Sequence, residues 1–209
     1  MGFNAFIRQN WIPLTFHLVR GWWEGTGTRV DWKNELKELG TLISENKLYE
    51  KTIFLLQKDF FGLVSNGLVS QRHLPKKNPI FWYKTAKRAS PTHHLSEGLV
   101  HRSGTLTDCV NFGFCLGWKE IILVGVDLYD TRYFWLNKNE TFFIDKKTGI
   151  KTTSTYSDRG QRFDEAHSTI SNGVLTEMHD WSKYLASYGT ALKVYNPKSL
   201  LRQVLDVGK

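Results

Sequence analysis

Lys119-Glu120-Ile121-Ile122-Leu123-Val124-Gly125-Val126-Asp127-Leu128 is the stretch that most constrains the fold. An unbroken, branched apolar run closed by Gly and Asp predicts a central strand over 120–128, covered on both faces as in a parallel sheet. Immediately upstream, 105–116 predicts a helix that stops at Gly117, where a C-terminal cap glycine belongs. Downstream, Val174, Met178, Trp181 and Leu185 recur at three- and four-residue spacing. That spacing predicts a helix over 170–187 with one buried face, closed by Gly189. Further strands are expected at 14–19, 52–57, 79–83 and 191–195, and further helices at 32–46 and 199–207. Strands alternating with helices define an α/β fold on a parallel sheet.

Two stretches break the alternation. Residues 84–101 are basic and rich in His and Ser, with Pro91. Residues 131–166 are long, polar and dotted with aromatics, and a connection of that length reads as a lid-like insertion over an active site. The chain has 209 residues, 41% hydrophobic and 23% charged, which suits one domain over 1–209 with a real core and excludes wholesale disorder. Its opening, Gly2-Phe3-Asn4-Ala5-Phe6, reads as if it began inside a strand. No Gly-rich phosphate loop of the G-x-G-x-x-G or Walker type is present, so a first strand and its loop are expected to be missing.

Charge is uneven. Arg72, Lys76, Lys77, Lys84, Lys87, Arg88 and Arg102, opposed only by Glu97, give 71–102 a net +6 of the chain's +8. Such a segment attracts anions or forms a solvated face. Cys109 and Cys115 lie six residues apart on one predicted helix and point to different sides, so they do not bridge, and no zinc spacing exists. No signal peptide and no bilayer-length apolar run appears, which points to a cytoplasmic location with peripheral contact at the inner membrane left open.

Three constellations could carry chemistry. His101-Arg102-Ser103-Gly104-Thr105-Leu106-Thr107-Asp108 directly precedes a helix, whose unpaired N–H groups and positive end receive anions; an ordinary N-cap with a surface arginine is the competing reading. Gly125-Val126-Asp127-Leu128-Tyr129-Asp130 ends the best strand, where open α/β sheets bind ligands. There Asp127, Tyr129 and Tyr133 either meet a phosphate or merely cap and pack. Glu165-Ala166-His167-Ser168 opens a helix, and His167 is a candidate base beside the simpler reading of an exposed histidine. The sequence has no D-x-D metal grip.

Taken together, these segments resemble the bacterial lipooligosaccharide sialyltransferases, whose donor is CMP-sialic acid. The likeness runs from about Arg102 to Leu201. Leu116-Gly117-Trp118-Lys119-Glu120-Ile121 through Gly125-Val126-Asp127-Leu128-Tyr129 is similar to the family's Leu-Gly-Tyr-Lys-Glu-Ile strand ending in Gly-Ile-Asp-Phe-Tyr. His167-Ser168 and Asn196-Pro197-Lys198-Ser199-Leu200-Leu201 are similar to its His-Ser start and Pro-Asn-Ser-Leu-Leu close. The resemblance implies a Rossmann-like parallel sheet flanked by helices. It puts the family's histidine base on His167 and its arginine on Arg102. Its Thr-Ser-Gly segment falls on Gly104 and Thr105 or, one residue over, on Ser103 and Gly104. Its phosphate-binding tyrosines become Tyr129 and Tyr133. Phe3-Asn4-Ala5-Phe6 looks like Cys-Asn-Gln-Phe, which makes Asn4 a nucleotide contact. The family's Gly-Asn-Gly-Pro-Ser loop is absent, its second early asparagine has only His17 nearby, and 20–100 matches poorly.

The implied activity is inverting, metal-independent transfer of sialic acid or a related acidic sugar from a CMP-activated donor to a glycan or lipid-linked acceptor, as in lipopolysaccharide biosynthesis. No cofactor, metal or nucleic acid is expected, and homo-oligomerisation is left open. Two other readings stand beside it. One is a pyrophosphokinase-like enzyme using Asp127 and Asp130 for magnesium. The other is a non-enzymatic protein that holds anions or nucleic acid through 71–102 and its eight tryptophans.

Overall fold

The computed structural model describes residues 1–8, 11–20, 37, 40–58, 74, 77–128, 143–144, 151–152, 170 and 172–208. They form two compact units, Met1–Cys115 and Leu116–Lys209.

In the first unit, β1 (Gly2–Phe3), β2 (Phe16–Val19), β3 (Ile53–Gln57) and β4 (Ile80–Tyr83) form a parallel sheet in the order β1-β2-β3-β4. The register pairs His17 with Phe54, Leu18 with Leu55 and Val19 with Leu56. Paired residues of a sheet share a face. Val19, Phe54 and Leu56 therefore meet Ile43 and Tyr49 on one side, while Phe16 on the other packs edge-on against Phe112 at 5.1 Å between centroids. Leu18, Leu55, Phe54 and Leu56 are fully buried. Both faces of the sheet are thus covered, as the apolar strands require. The amino ends of the strands are tied by buried side chains. Asn78 Nδ2 donates to the Tyr49 and Thr52 carbonyls (2.8 and 3.0 Å) and Thr52 Oγ1 to the Leu14 carbonyl (2.7 Å).

The basic stretch that interrupts the sequence pattern is structured. β5 (Thr85–Ala86) pairs in parallel with β6 (Leu99–Val100), and α1 (Thr105–Cys115) follows. Asn111, on the buried side of α1, fastens the loop between them. Its Oδ1 accepts from Val100 N (2.9 Å), and its Nδ2 donates to the Thr92 carbonyl (2.9 Å). A buried amide is tolerated because both its ends are satisfied.

The second unit carries a parallel sheet in the order β11-β10-β7, made of β7 (Glu120–Leu123), β10 (Ala191–Val194) and β11 (Asp206–Val207). α2 (Val174–Ser187) buries Val174, Met178, Trp181 and Leu185, the four residues singled out by spacing. Gly117 and Gly189 have φ of 71° and 78°, the left-handed backbone of helix ends. Phe143–Ile144 (β8) and Lys151–Thr152 (β9) form a short antiparallel pair.

Two expectations change. The strand expected over 120–128 is only β7, and among the described residues it pairs with β10 alone, at the end of its sheet and not in the middle. Val124 is 67% exposed and Gly125 turns at φ 71°, so the apolar run leaves the ladder early. The helix expected over 199–207 is a 3₁₀ turn, Leu200–Gln203, followed by β11. Leu201 and Leu205 are buried, and Lys193–Val194 of β10 recruits 206–207 as a parallel strand. Backbone pairing there prevails over helical spacing. The described content is thus mixed α/β with parallel sheets.

Candidate functional site

In the first unit, polar side chains gather just beyond the carboxyl ends of β1, β2 and β6. Asn4 follows β1 directly and has φ 48°, a left-handed conformation that asparagine tolerates better than most residues. Its Nδ2 donates to Thr105 Oγ1 at 3.0 Å, its Oδ1 accepts from Arg20 N at 3.4 Å, and its carbonyl meets His17 Nε2 at 3.1 Å. One residue therefore links the end of β1, the end of β2 and the first turn of α1.

His17 lies beneath it, wholly buried. Burial lowers its pKa to about 3 against the opposing hydrogen bond to Asn4, so the ring is neutral. A neutral ring that bonds a carbonyl through Nε2 carries its proton there and donates it. His17 is thus a support of Asn4, not the equivalent of a ligand-binding asparagine.

The turn before α1 is held from within. Thr107 Oγ1 donates to the Gly104 carbonyl (2.8 Å) and accepts from Arg102 N (3.1 Å). Ser103 is buried, and the Arg102 side chain is exposed. One turn into α1, Asp108 is fully buried. Its Oδ2 meets His101 Nδ1 at 2.6 Å, and Arg20 stands 3.6 Å from its Oδ1. Burial pushes the Asp108 carboxyl up to about 7, while Arg20 and the Tyr83 hydroxyl pull it down.

The structure thus brings together Asn4, Gly104 and Thr105, three of the residues proposed from sequence, with Ser103 beside them. It adds Arg20, and it gives a role to His101 and Asp108, which stand at the two ends of the quoted motif but had none assigned from sequence. One signal for them was available: Asp108 is the sole charged residue of α1, and a charge on a helix read as packing against the sheet calls for a partner.

The chain matches no family model, no curated protein and no solved structure. Geometry must therefore carry the functional reading.

In the second unit, Asp127 is engaged structurally. Its Oδ1 accepts from Asn196 Nδ2 at 2.7 Å, and its carbonyl accepts from Leu200 N at 3.0 Å; Ser199 Oγ donates to the Val126 carbonyl at 2.7 Å. The two motifs on which the resemblance leans most, Gly125–Asp127 and Asn196–Leu201, are therefore in contact with each other. Tyr129, Tyr133 and His167 lie outside the described residues, as does Asp130. Among the described residues, no group of three or more His, Cys, Asp and Glu could hold a metal, and no helix is long and apolar enough to cross a membrane. Within the basic segment, Lys77 pairs with Glu50 (2.7 Å) and Arg88 with Glu97 (2.5 Å), so part of its charge is already answered.

Proposed function

We propose that this chain is a sialyltransferase-like glycosyltransferase that binds a CMP-activated acidic sugar and transfers the sugar with inversion, without a metal. The observation that carries the reading is the 3.0 Å bond between Asn4 and Thr105. The resemblance assigns both to the nucleotide, on segments about a hundred residues apart, and they meet where parallel sheets receive ligands. In this reading the sheet is Rossmann-like and the start of α1 faces the donor phosphate; the lid expected over 131–166 lies, but for 143–144 and 151–152, outside the described residues.

Each group then has a role. Asn4, Ser103, Gly104 and Thr105 supply hydrogen bonds to the nucleotide. Arg102 neutralises the phosphate or orients a carboxylate on the sugar. Tyr129 and Tyr133 donate to the departing phosphate, and His167 takes the proton of the acceptor hydroxyl as the anomeric carbon–oxygen bond to phosphate breaks. Asp127, held at the strand end by Asn196 through one carboxylate oxygen, remains a donor contact in this reading. Acceptors are glycans or lipid-linked sugars on the cytoplasmic side of the membrane. The test is calorimetry: CMP binds more tightly than AMP or GMP, and equal affinities for the three overturn the reading.

A further inference from the structure

We infer that His101 and Arg20 together hold the phosphate of a phosphomonoester, with Asp108 as the positioning residue that fixes the imidazole. The inference rests on the nucleotide reading above and names the part of that site that takes the phosphate.

His101 leaves β6 at its carboxyl end and spends Nδ1 on Asp108 at 2.6 Å. Asp108 has no exposed surface, on a helix that Asn111 ties to β6. The opposite ring nitrogen, Nε2, has no hydrogen-bond partner among the described residues, and 23% of the side chain remains exposed. The Asp108 carboxyl, raised to about 7 by burial, shares one proton with Nδ1; with that proton on the acid the neutral ring carries its own on Nε2, and with it on the ring the imidazolium does too, so Nε2–H is a donor in both cases.

Arg20 supplies the second donor. Its guanidinium sits 3.6 Å from Asp108 Oδ1, beyond hydrogen-bond length, and its buried NH1 has no hydrogen-bond partner among the described residues. The backbone N–H of the same residue reaches Asn4 Oδ1. Around the ring stand Asp108 from α1, Arg20 after β2 and Tyr83 from β4, which faces Asp108. Arg102 follows in the chain and is exposed. With either placement of the shared proton, Arg20, the ring and the Asp108 carboxyl together carry one net positive charge and present planar donors suited to phosphate oxygens. This charge lies beside the Asn4–Thr105 bond.

The experiment uses the wild-type chain and one variant. Proton NMR follows the His101 ring signal, identified by its loss in His101→Gln, while inorganic phosphate and then CMP are added. A dianion beside the ring favours its charged form, so the titration midpoint of His101 rises with either ligand. Calorimetry on His101→Gln gives a CMP dissociation constant raised about tenfold or more, as expected for a lost charge-assisted hydrogen bond, and an unchanged one for cytidine, which lacks the phosphate. A wild-type midpoint unmoved by both ligands, or equal losses for CMP and cytidine, overturns the inference. If AMP and CMP bind equally and both depend on His101, the phosphate assignment stands and the cytidine-specific function falls.

Discussion

At the scale of single residues, the site rests on two buried groups whose protonation runs against their ordinary chemistry. His17 is held neutral, with a pKa lowered to about 3 from 6.5. The unfolded chain takes up a proton there between these values and the native protein does not. Its contribution to stability is therefore present above pH 6.5 and is lost as pH falls toward 3, by about 1.4 kcal/mol per pH unit. Asp108 acts with the opposite sign. Its pKa is raised to about 7 from 3.8, so its contribution is present below 3.8 and is lost as pH rises through 7. The two slopes oppose each other through the mildly acidic range. Asp108→Asn removes one of them, so unfolding free energy in urea falls more steeply on acidification than in wild type, by about 1.4 kcal/mol per pH unit between pH 4 and 6. Parallel slopes in the two proteins contradict this account of Asp108.

Asn4 and Thr105 make a second test at this scale. Each is bonded to the other, so if they hold the nucleotide as a unit, their losses are not additive. Asn4→Ala or Thr105→Ala weakens CMP about fivefold, the worth of one net hydrogen bond, and the double variant loses less than the product of the two. Full multiplicativity in a calorimetric cycle separates them. Asn4, Ser103, Gly104 and Thr105 were legible in sequence because a strand end and a helix start announce themselves through apolar runs and Ser/Thr/Gly punctuation. Arg20 was not, since its meaning lies in a contact with a segment far along the chain; His101 and Asp108 stood within the quoted motif, but only the burial of Asp108 and their 2.6 Å contact give them a role.

At the scale of elements, the join between β5 and β6 depends on Gly98. Its φ is 94°, and a Cβ there would lie 2.4 Å from the Lys84 carbonyl oxygen, which itself accepts from Leu99 N. Gly98→Ala must displace backbone and adopt a strained conformation, at a cost on the order of 3 kcal/mol. A large fall in thermal midpoint is expected, together with weakened CMP binding, because β6 delivers His101. A thermal midpoint equal to wild type contradicts the packing described. Periodicity revealed α2 well, since it buries one continuous stripe; α1, with eight of its eleven residues buried, was marked by Gly117 at its end instead. It misjudged 120–128 and 199–207 for a shared reason: apolar residues there serve different partners. Ile121 and Leu123 face the core, whereas Val124 is solvent-exposed and Asp127 is clasped by the Asn196–Ser199 turn. Burial by a turn or a neighbouring strand leaves the same apolar letters as burial within one long element.

At the scale of the whole molecule, the proposed reaction needs a base and no metal. His167→Ala is expected to lower transfer from CMP-sialic acid about 10²-fold or more while CMP affinity stays within about threefold, since a general base acts in the transition state. His179, mid-helix on α2 beside the buried Trp181, serves as control: His179→Ala keeps its activity. EDTA leaves turnover unchanged; its abolition of activity points instead to the magnesium-dependent, pyrophosphokinase-like reading. The central claim is narrower than the reaction: the carboxyl end of the first sheet is a cytidine-nucleotide site. Calorimetric titration of the wild-type chain with CMP, AMP and GMP under one set of conditions tests it most directly. The account predicts tighter binding of CMP than of either purine nucleotide, with the preference reduced in Asn4→Ala; three equal affinities, or a preference for a purine, would contradict it.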